Sequence, residues 1–267
     1  MVDEAEIREG LVRAGLQGAR LEVHSSLRSF GRVDGGAEAV VSALTKTAEL
    51  IAVPTFCWDA SVRYADRDPI EHNAAEGPDP LDTRRQIPFD PATSGIDADM
   101  GIIAETVARW PGARRSGHPL VSWAAWGAGA EDVVDDHPWN DAFAPINRVA
   151  ARGGSILMLG VTLTSCTAVH LAEEMAGRRS FIRWALGKDG VVRRARTGGC
   201  SEGFDNLLPQ LGDVIRETRI GECRVLIAPL APFLDRVAGI IRRSPEITMC
   251  GRKCDRCLAA ASGGPAE

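Results

Sequence analysis

No stretch of this chain approaches the roughly 20 consecutive apolar residues that a membrane-spanning helix needs. The opening MVDEAEIREGLVRAGL lacks the basic start, apolar block and small-residue cleavage site of a secretory leader, and reads as an amphipathic helix. A cytoplasmic location with no membrane partner is therefore expected. Neither G-x-x-x-x-G-K-[ST] nor G-x-G-x-x-G occurs, which removes the P-loop and the dinucleotide fingerprint. There is no internal repeat and no linker-like break. The seven cysteines are odd in number and scattered, so free thiols are expected rather than a disulfide framework. A net charge of -5 and a pI near 5.6 argue against nucleic acid as the main partner, which needs a basic face.

What is present suits a soluble globular protein. The 267 residues are 45% apolar and 25% charged, enough for a full core. One domain over residues 1–258 is expected, with a flexible Gly/Pro-containing tail at 259–267. Helix patterns over 3–16, 37–48, 100–110, 129–136 and 146–152 alternate with strand-like runs at 21–23, 50–56, 120–126 and 155–161. Asp97 or Asp99 suits the cap of the third helix. FIRWALGKDGVVRRAR reads as a hairpin turning at Lys188-Asp189-Gly190. Helices over 204–216 and 230–241 then flank the strand CRVLIAPL. This order predicts an α/β/α sandwich: a central mixed sheet with helices on both faces.

The stretch GGSILMLGVTLTSCTAVHLAEEMAG, Gly153 to Gly177, joins a buried strand, a hydroxyl-rich turn and a helix. His170 and Glu173 are three apart, hence on one helix face, as a general base and its orienting carboxylate would be. A surface helix with ordinary polar residues has the same spacing. Thr167 precedes His170 by three and is placed to donate to a developing oxyanion, with Ser165 and Cys166 as alternatives. Cys166 as a hydrolase nucleophile is a weaker reading than a buried structural thiol.

Other groups carry less. HSSLRSFG is a strand-to-helix corner where Ser25, Ser26 and Arg28 suit either a phosphate or a simple cap. RRSGHPLVS offers Arg114 and Arg115 to an anion, or forms a solvated basic turn. The carboxylates Asp59, Asp66, Asp68, Glu71, Glu76, Asp79 and Asp82 lie in a long loop that would attract a polycation, although such runs are more commonly just solvated. Cys250-x3-Cys254-x2-Cys257 lacks a fourth ligand at matched spacing unless Cys223 or a distant histidine supplies it, and no metal is expected.

Taken together, LEVHSSLRSFGRVDGGAEAVVSAL, IPFDPATSG, MGIIAETVARWPGARRSGHPLVSWAAWG, PINRVAARGGSILMLGV and CTAVHLAEEMAG resemble the aminoglycoside 3-N-acetyltransferases, the antibiotic acetyltransferase family. They span most of residues 20–177, and the CDRCLAA tail is similar as well. The resemblance implies a fold distinct from the common N-acetyltransferase fold, with acetyl-coenzyme A as donor and a small-molecule amine as acceptor, in a monomer or homodimer. It implies that Ser25, Ser26 and Leu27 lie along the coenzyme, with Arg28, Met100, Arg115, Ser116, His118 and Pro119 beside it. His170 matches the family's catalytic histidine, Glu173 its supporting carboxylate and Thr167 the oxyanion donor. The implied reaction is direct transfer to the 3-amino group of an aminoglycoside, a resistance activity. A different amino sugar or biosynthetic intermediate, or a non-catalytic binding protein, are the alternatives. One departure stands out: Gly198 and Gly199 occupy positions where acceptor-gripping carboxylates are expected, leaving Asp59, Glu202 and Asp205 to hold the amine.

Overall fold

The computed structural model describes residues 1–62 and 85–265. The carboxylates from Asp66 to Asp82 named above lie outside the described residues. Helix α1 (Glu4–Arg13) begins at a capping box in which the Asp3 side chain accepts from the Glu6 amide and the Glu6 side chain accepts from the Asp3 amide. Strand β1 (Arg20–Ser25), helix α2 (Gly36–Thr47) and strand β2 (Leu50–Pro54) follow. The Asp97 carboxylate caps a 3-10 turn at Ala98–Met100, which leads into α3 (Gly101–Ala108). Next come β3 (Arg114–Arg115), β4 (Trp123–Gly127), α4 (Ala130–Val134), α5 (Ala144–Ala151), β5 (Ser155–Leu159) and α6 (Ala168–Met175). The hairpin β6 (Phe181–Leu186) and β7 (Val192–Thr197) precedes β8 (Arg216–Ile220), β9 (Cys223–Pro229), α7 (Leu230–Arg243) and α8 (Asp255–Ala261).

The sheet is mixed and seven-stranded, in the order β3-β4-β2-β1-β5-β9-β8. Its centre, β2-β1-β5, is parallel, and antiparallel strands extend both edges. SILML reads as an unbroken apolar run because both faces of β5 are covered. Ile156 and Met158 join the core with α4, α5, α6 and α7; Leu157 and Leu159 join the one with α1, α2 and α3. The expected sandwich is therefore the observed one. Among the described residues no helix is long and apolar enough to cross a membrane.

The structure departs from the expected elements in three places. The helix expected over 204–216 is a 3-10 turn, Phe204–Gln210, containing Pro209, which has no N–H to continue an α-helix. The chain then forms β8, an edge strand whose exposed Arg216, Glu217 and Arg219 guard against further strand pairing. The strand expected from Leu120 starts only at Trp123, because the amides of Leu120 and Val121 donate to His118 Nδ1 (3.3 and 3.1 Å). Residues 259–261, expected in the C-terminal tail, belong to α8, and Arg179 donates to the carbonyls of Pro265 (2.7 Å) and Gly264 (3.1 Å).

Candidate active site

Strands β1 and β5 are parallel neighbours, and the chain leaves β1 toward β2 on the opposite side. Open α/β sheets bind ligands at such a switch point, beyond the carboxyl ends of the strands. A cavity of about 830 Å³ lies here. Its lining includes His24 to Arg28 from the end of β1, Met100 to Ile102 from the start of α3, and Thr164 to Thr167 with His170 from the segment after β5. Phe56, Trp58 and Phe143 add an aromatic side, and Gly198, Gly199 and Ser201 form the wall that follows the hairpin.

His170 is fixed from several directions. Its Nδ1 lies 2.7 Å from Glu173 Oε2, and the other carboxylate oxygen, Oε1, accepts from Arg178 Nη1 at 2.5 Å. Arg178 also donates to Thr248 Oγ1 (2.8 Å) and to the carbonyl of Pro245. The ring stacks against Phe143 (6.0 Å between centroids) and meets the edge of Phe204 (4.8 Å). With Nδ1–H donated to Glu173, Nε2 is left as the acceptor. The expected pair is thus a chain of three, His170–Glu173–Arg178, and both the histidine and the carboxylate are largely buried. Thr167, at the start of α6, makes no capping hydrogen bond with its side chain and lines the same cavity.

The floor holds a second histidine. His24 Nε2 lies 2.8 Å from Glu22 Oε1 and 3.4 Å from the Thr167 amide, and both His24 and Glu22 are buried. Cys166 stands beside them. Burial, and after it the nearby Glu22, push its thiol well above the usual range, as for a buried structural cysteine.

Of the residues expected along a coenzyme, Ser25, Ser26, Leu27, Arg28 and Met100 line the cavity. Arg115, Ser116, His118 and Pro119 are not part of that lining. Arg115 is a strut. It donates to the carbonyls of Ser94 (2.5 Å), Thr55 (2.7 Å) and Gly95 (3.0 Å) and to Ser122 Oγ (3.1 Å), with its guanidinium over Phe89. Ser116 Oγ lies 2.9 Å from His137 Nδ1 and accepts from the Trp123 amide (2.9 Å). His118 is buried beside His137, and its burial holds it well below the usual histidine range. Pro119 is buried next to it.

The acceptor-side expectations also shift. Glu202 pairs with Arg252, and Asp205 keeps a buried Oδ1 without a partner among the described residues. Neither Asp59 nor these two is among the residues of the cavity wall, where Asp59's neighbour Trp58 is. The two glycines have a steric reason. A Cβ on Gly198 would lie 2.5 Å from His170 Cδ2, and one on Gly199 would lie 2.6 Å from Phe181 Cε2. A carboxylate-bearing residue at 198 would displace the imidazole.

A buried histidine–carboxylate–arginine chain facing a cleft at a switch point has the chemistry that an enzyme site for group transfer needs. The sequence pattern of one family, described as aminoglycoside 3-N-acetyltransferase, matches residues 23–241, and the chain belongs to that family of acyltransferases. It is 38% identical over 205 residues to aminoglycoside N(3)-acetyltransferase III of Salmonella sp, covering 72% of this chain and 69% of that one. It is 32% identical over 209 residues to aminoglycoside N(3)-acetyltransferase VIII of Streptomyces fradiae, covering 72% and 70%. The solved apoenzyme of aminoglycoside acetyltransferase AAC(3)-IVa is similar over 98% of this chain and 97% of its own, with a TM-score of 0.77 at 26% identity.

The sequence pointed to His170, Glu173 and Thr167 but missed Arg178, Glu22 and the packing role of Gly198. Arg178 lies five residues beyond Glu173, just past the end of the helix, where helical spacing gives no signal. His24 and Glu22 alternate on a strand, which was the available clue.

Proposed function

We propose that this chain moves an acetyl group from acetyl-coenzyme A to the 3-amino group of an aminoglycoside by direct attack in a ternary complex. The observation that carries this reading is the free Nε2 of His170 in the cavity, with Nδ1 committed to Glu173. An ammonium has no lone pair, so a proton must leave before the nitrogen attacks. Histidine suits that transfer near neutral pH. Glu173 stabilises the imidazolium that forms, and Arg178 keeps the carboxylate charged and oriented. The Thr167 hydroxyl is the donor for charge building on the thioester oxygen. Collapse then expels the thiolate, and no acyl-enzyme forms.

The corner after β1 fits the coenzyme. Exposed Arg28 sits at its outer rim, where phosphate groups favour a guanidinium. Leu27, Met100 and Ile102 give an apolar strip for the pantetheine arm, and Ile102 is 48% exposed as it stands. Asp99 is the one carboxylate among the described residues of the wall. That favours a second reading for the acceptor only: an amino sugar with less positive charge.

A thiol-release assay with acetyl-coenzyme A tests both, using deoxystreptamine aminoglycosides and simpler amino sugars as acceptors. Release with the aminoglycosides and intersecting initial-rate lines are expected. Parallel lines would mean a covalent enzyme route, and no release with any amine would make the chain a binding protein.

A further inference from the structure

Four cysteines converge at the back of the acceptor wall. Cys200 follows the hairpin, while Cys250, Cys254 and Cys257 come from the C-terminal segment, and their sulfurs all lie within 4.8 Å of one another. All are free thiols. A tetrahedral shell of thiolates about 2.3 Å from zinc separates its sulfurs by roughly 3.8 Å, so the cluster needs only small side-chain shifts to close on an ion. The backbone is already shaped for this. Gly251 takes a φ of +73° in the turn between Cys250 and Cys254, and the Cys250 amide donates to Cys257 Sγ at 3.4 Å. Arg252, Lys253 and Arg256 lie between the ligands in sequence, with Arg252 already paired to Glu202 on the Cys200 segment. An all-sulfur donor set selects zinc over hard cations such as magnesium or calcium.

We propose that Cys200, Cys250, Cys254 and Cys257 bind a structural zinc ion, with Cys200 supplying the fourth ligand that the C-terminal trio lacks. Cys223, the other cysteine considered, is occupied elsewhere by Ser29. Each thiol releases its proton to solvent on binding, and no electrons move. With all four positions filled by protein, the ion has no open site for substrate. Its role is to fasten two segments that both reach His170. One carries Gly198 against the imidazole; the other carries Pro245 and Thr248, which hold Arg178. Gly203 packs closely against the Met249 backbone, and Asn206 already binds the first segment to the second by donating to the carbonyls of Ile247 (3.1 Å) and Met249 (3.2 Å).

The test is metal analysis of the full chain, expressed with zinc in the medium and purified with reductant but without chelator. About one equivalent of zinc per chain is expected, with an all-sulfur shell near 2.3 Å by X-ray absorption. Cobalt substitution should give a thiolate-to-metal charge-transfer band. C200S and C254S should each lose at least tenfold in zinc affinity by competition with a chromogenic chelator. If these variants fail to fold, the wild-type analysis still decides. Metal-free protein with titratable thiols, disulfides among these cysteines, or zinc held by nitrogen and oxygen ligands would each overturn the proposal.

Discussion

The backbone at Gly198 lies against His170 so closely that an added methyl group would sit 2.5 Å from Cδ2 and 2.7 Å from Nε2. G198A should therefore push the imidazole off its line without removing any polar group. A misplacement of about 1 Å costs on the order of 100-fold in turnover. The expected result is a fall of that size in kcat with an unchanged circular dichroism spectrum and coenzyme Kd. Near-normal kcat would show that the wall yields and the ring does not.

H170A should lose about 100- to 10,000-fold in kcat while still binding coenzyme, as expected when a general base is removed. Glu173 and Arg178 act through His170, so they are positioning residues. R178M leaves Glu173 with a buried charge and no cation, and should lower kcat with little change in KM for either substrate. A merely structural arginine would lower stability and leave the kcat of the folded fraction where it was.

Arg115 separates the geometry from the resemblance. Its four hydrogen bonds hold residues 94–95 against β2 and the Ser122 turn. R115A should destabilise the protein by about 2–4 kcal/mol, the range for leaving several buried acceptors unpaired. The KM for acetyl-coenzyme A should stay within about twofold in the folded fraction, a shift of less than about 0.5 kcal/mol. Denaturant titration and initial rates measure the two effects. A large rise in KM with unchanged stability would return Arg115 to the coenzyme.

His137 sets an acid limit on stability. Burial lowers it to about 4, while Ser116 Oγ and the Asp141 carbonyl satisfy both ring nitrogens of the neutral form. The unfolded chain binds a proton there near pH 6.5 and the folded chain does not until about pH 4, so stability falls as pH drops through that window. His118, also lowered by burial, acts in the same direction. The loss attributable to His137 by pH 4 is on the order of 3 kcal/mol. Urea midpoints at pH 7.5, 6 and 4.5 should fall in that order, and H137Q should flatten the slope.

The sheet was legible because its strands are short, apolar and punctuated by glycine, and because both faces of the central strands are buried. The helix–strand order around His170 was legible for the same reason. Three things were not. Arg178 and Cys200 reach their partners through tertiary contacts that no local period encodes. Arg115, Ser116 and His118 are polar residues in a family motif, and the hydrogen bonds they make to the 90s loop and the turn before β4 come from tertiary contacts that the motif does not spell out. Gly198 read as a missing carboxylate, yet its lack of a side chain is what admits the imidazole. A residue chosen for the space it leaves gives no chemical signal in a sequence.

Among the described residues the hairpin β6–β7 forms a sheet of its own and shares no ladder with the seven central strands. It meets the residues flanking 63–84 through Val62 and Phe89, whose amides donate to the carbonyls of Trp184 and Leu186, and its last strand runs straight into Gly198. The hairpin is thus joined to the frame that carries His170 by packing: Ala185 and Ala195 are buried in the same core as α6, while Arg193 and Arg194 point outward, so a change of charge on the hairpin's exposed positions leaves that shared core as it is.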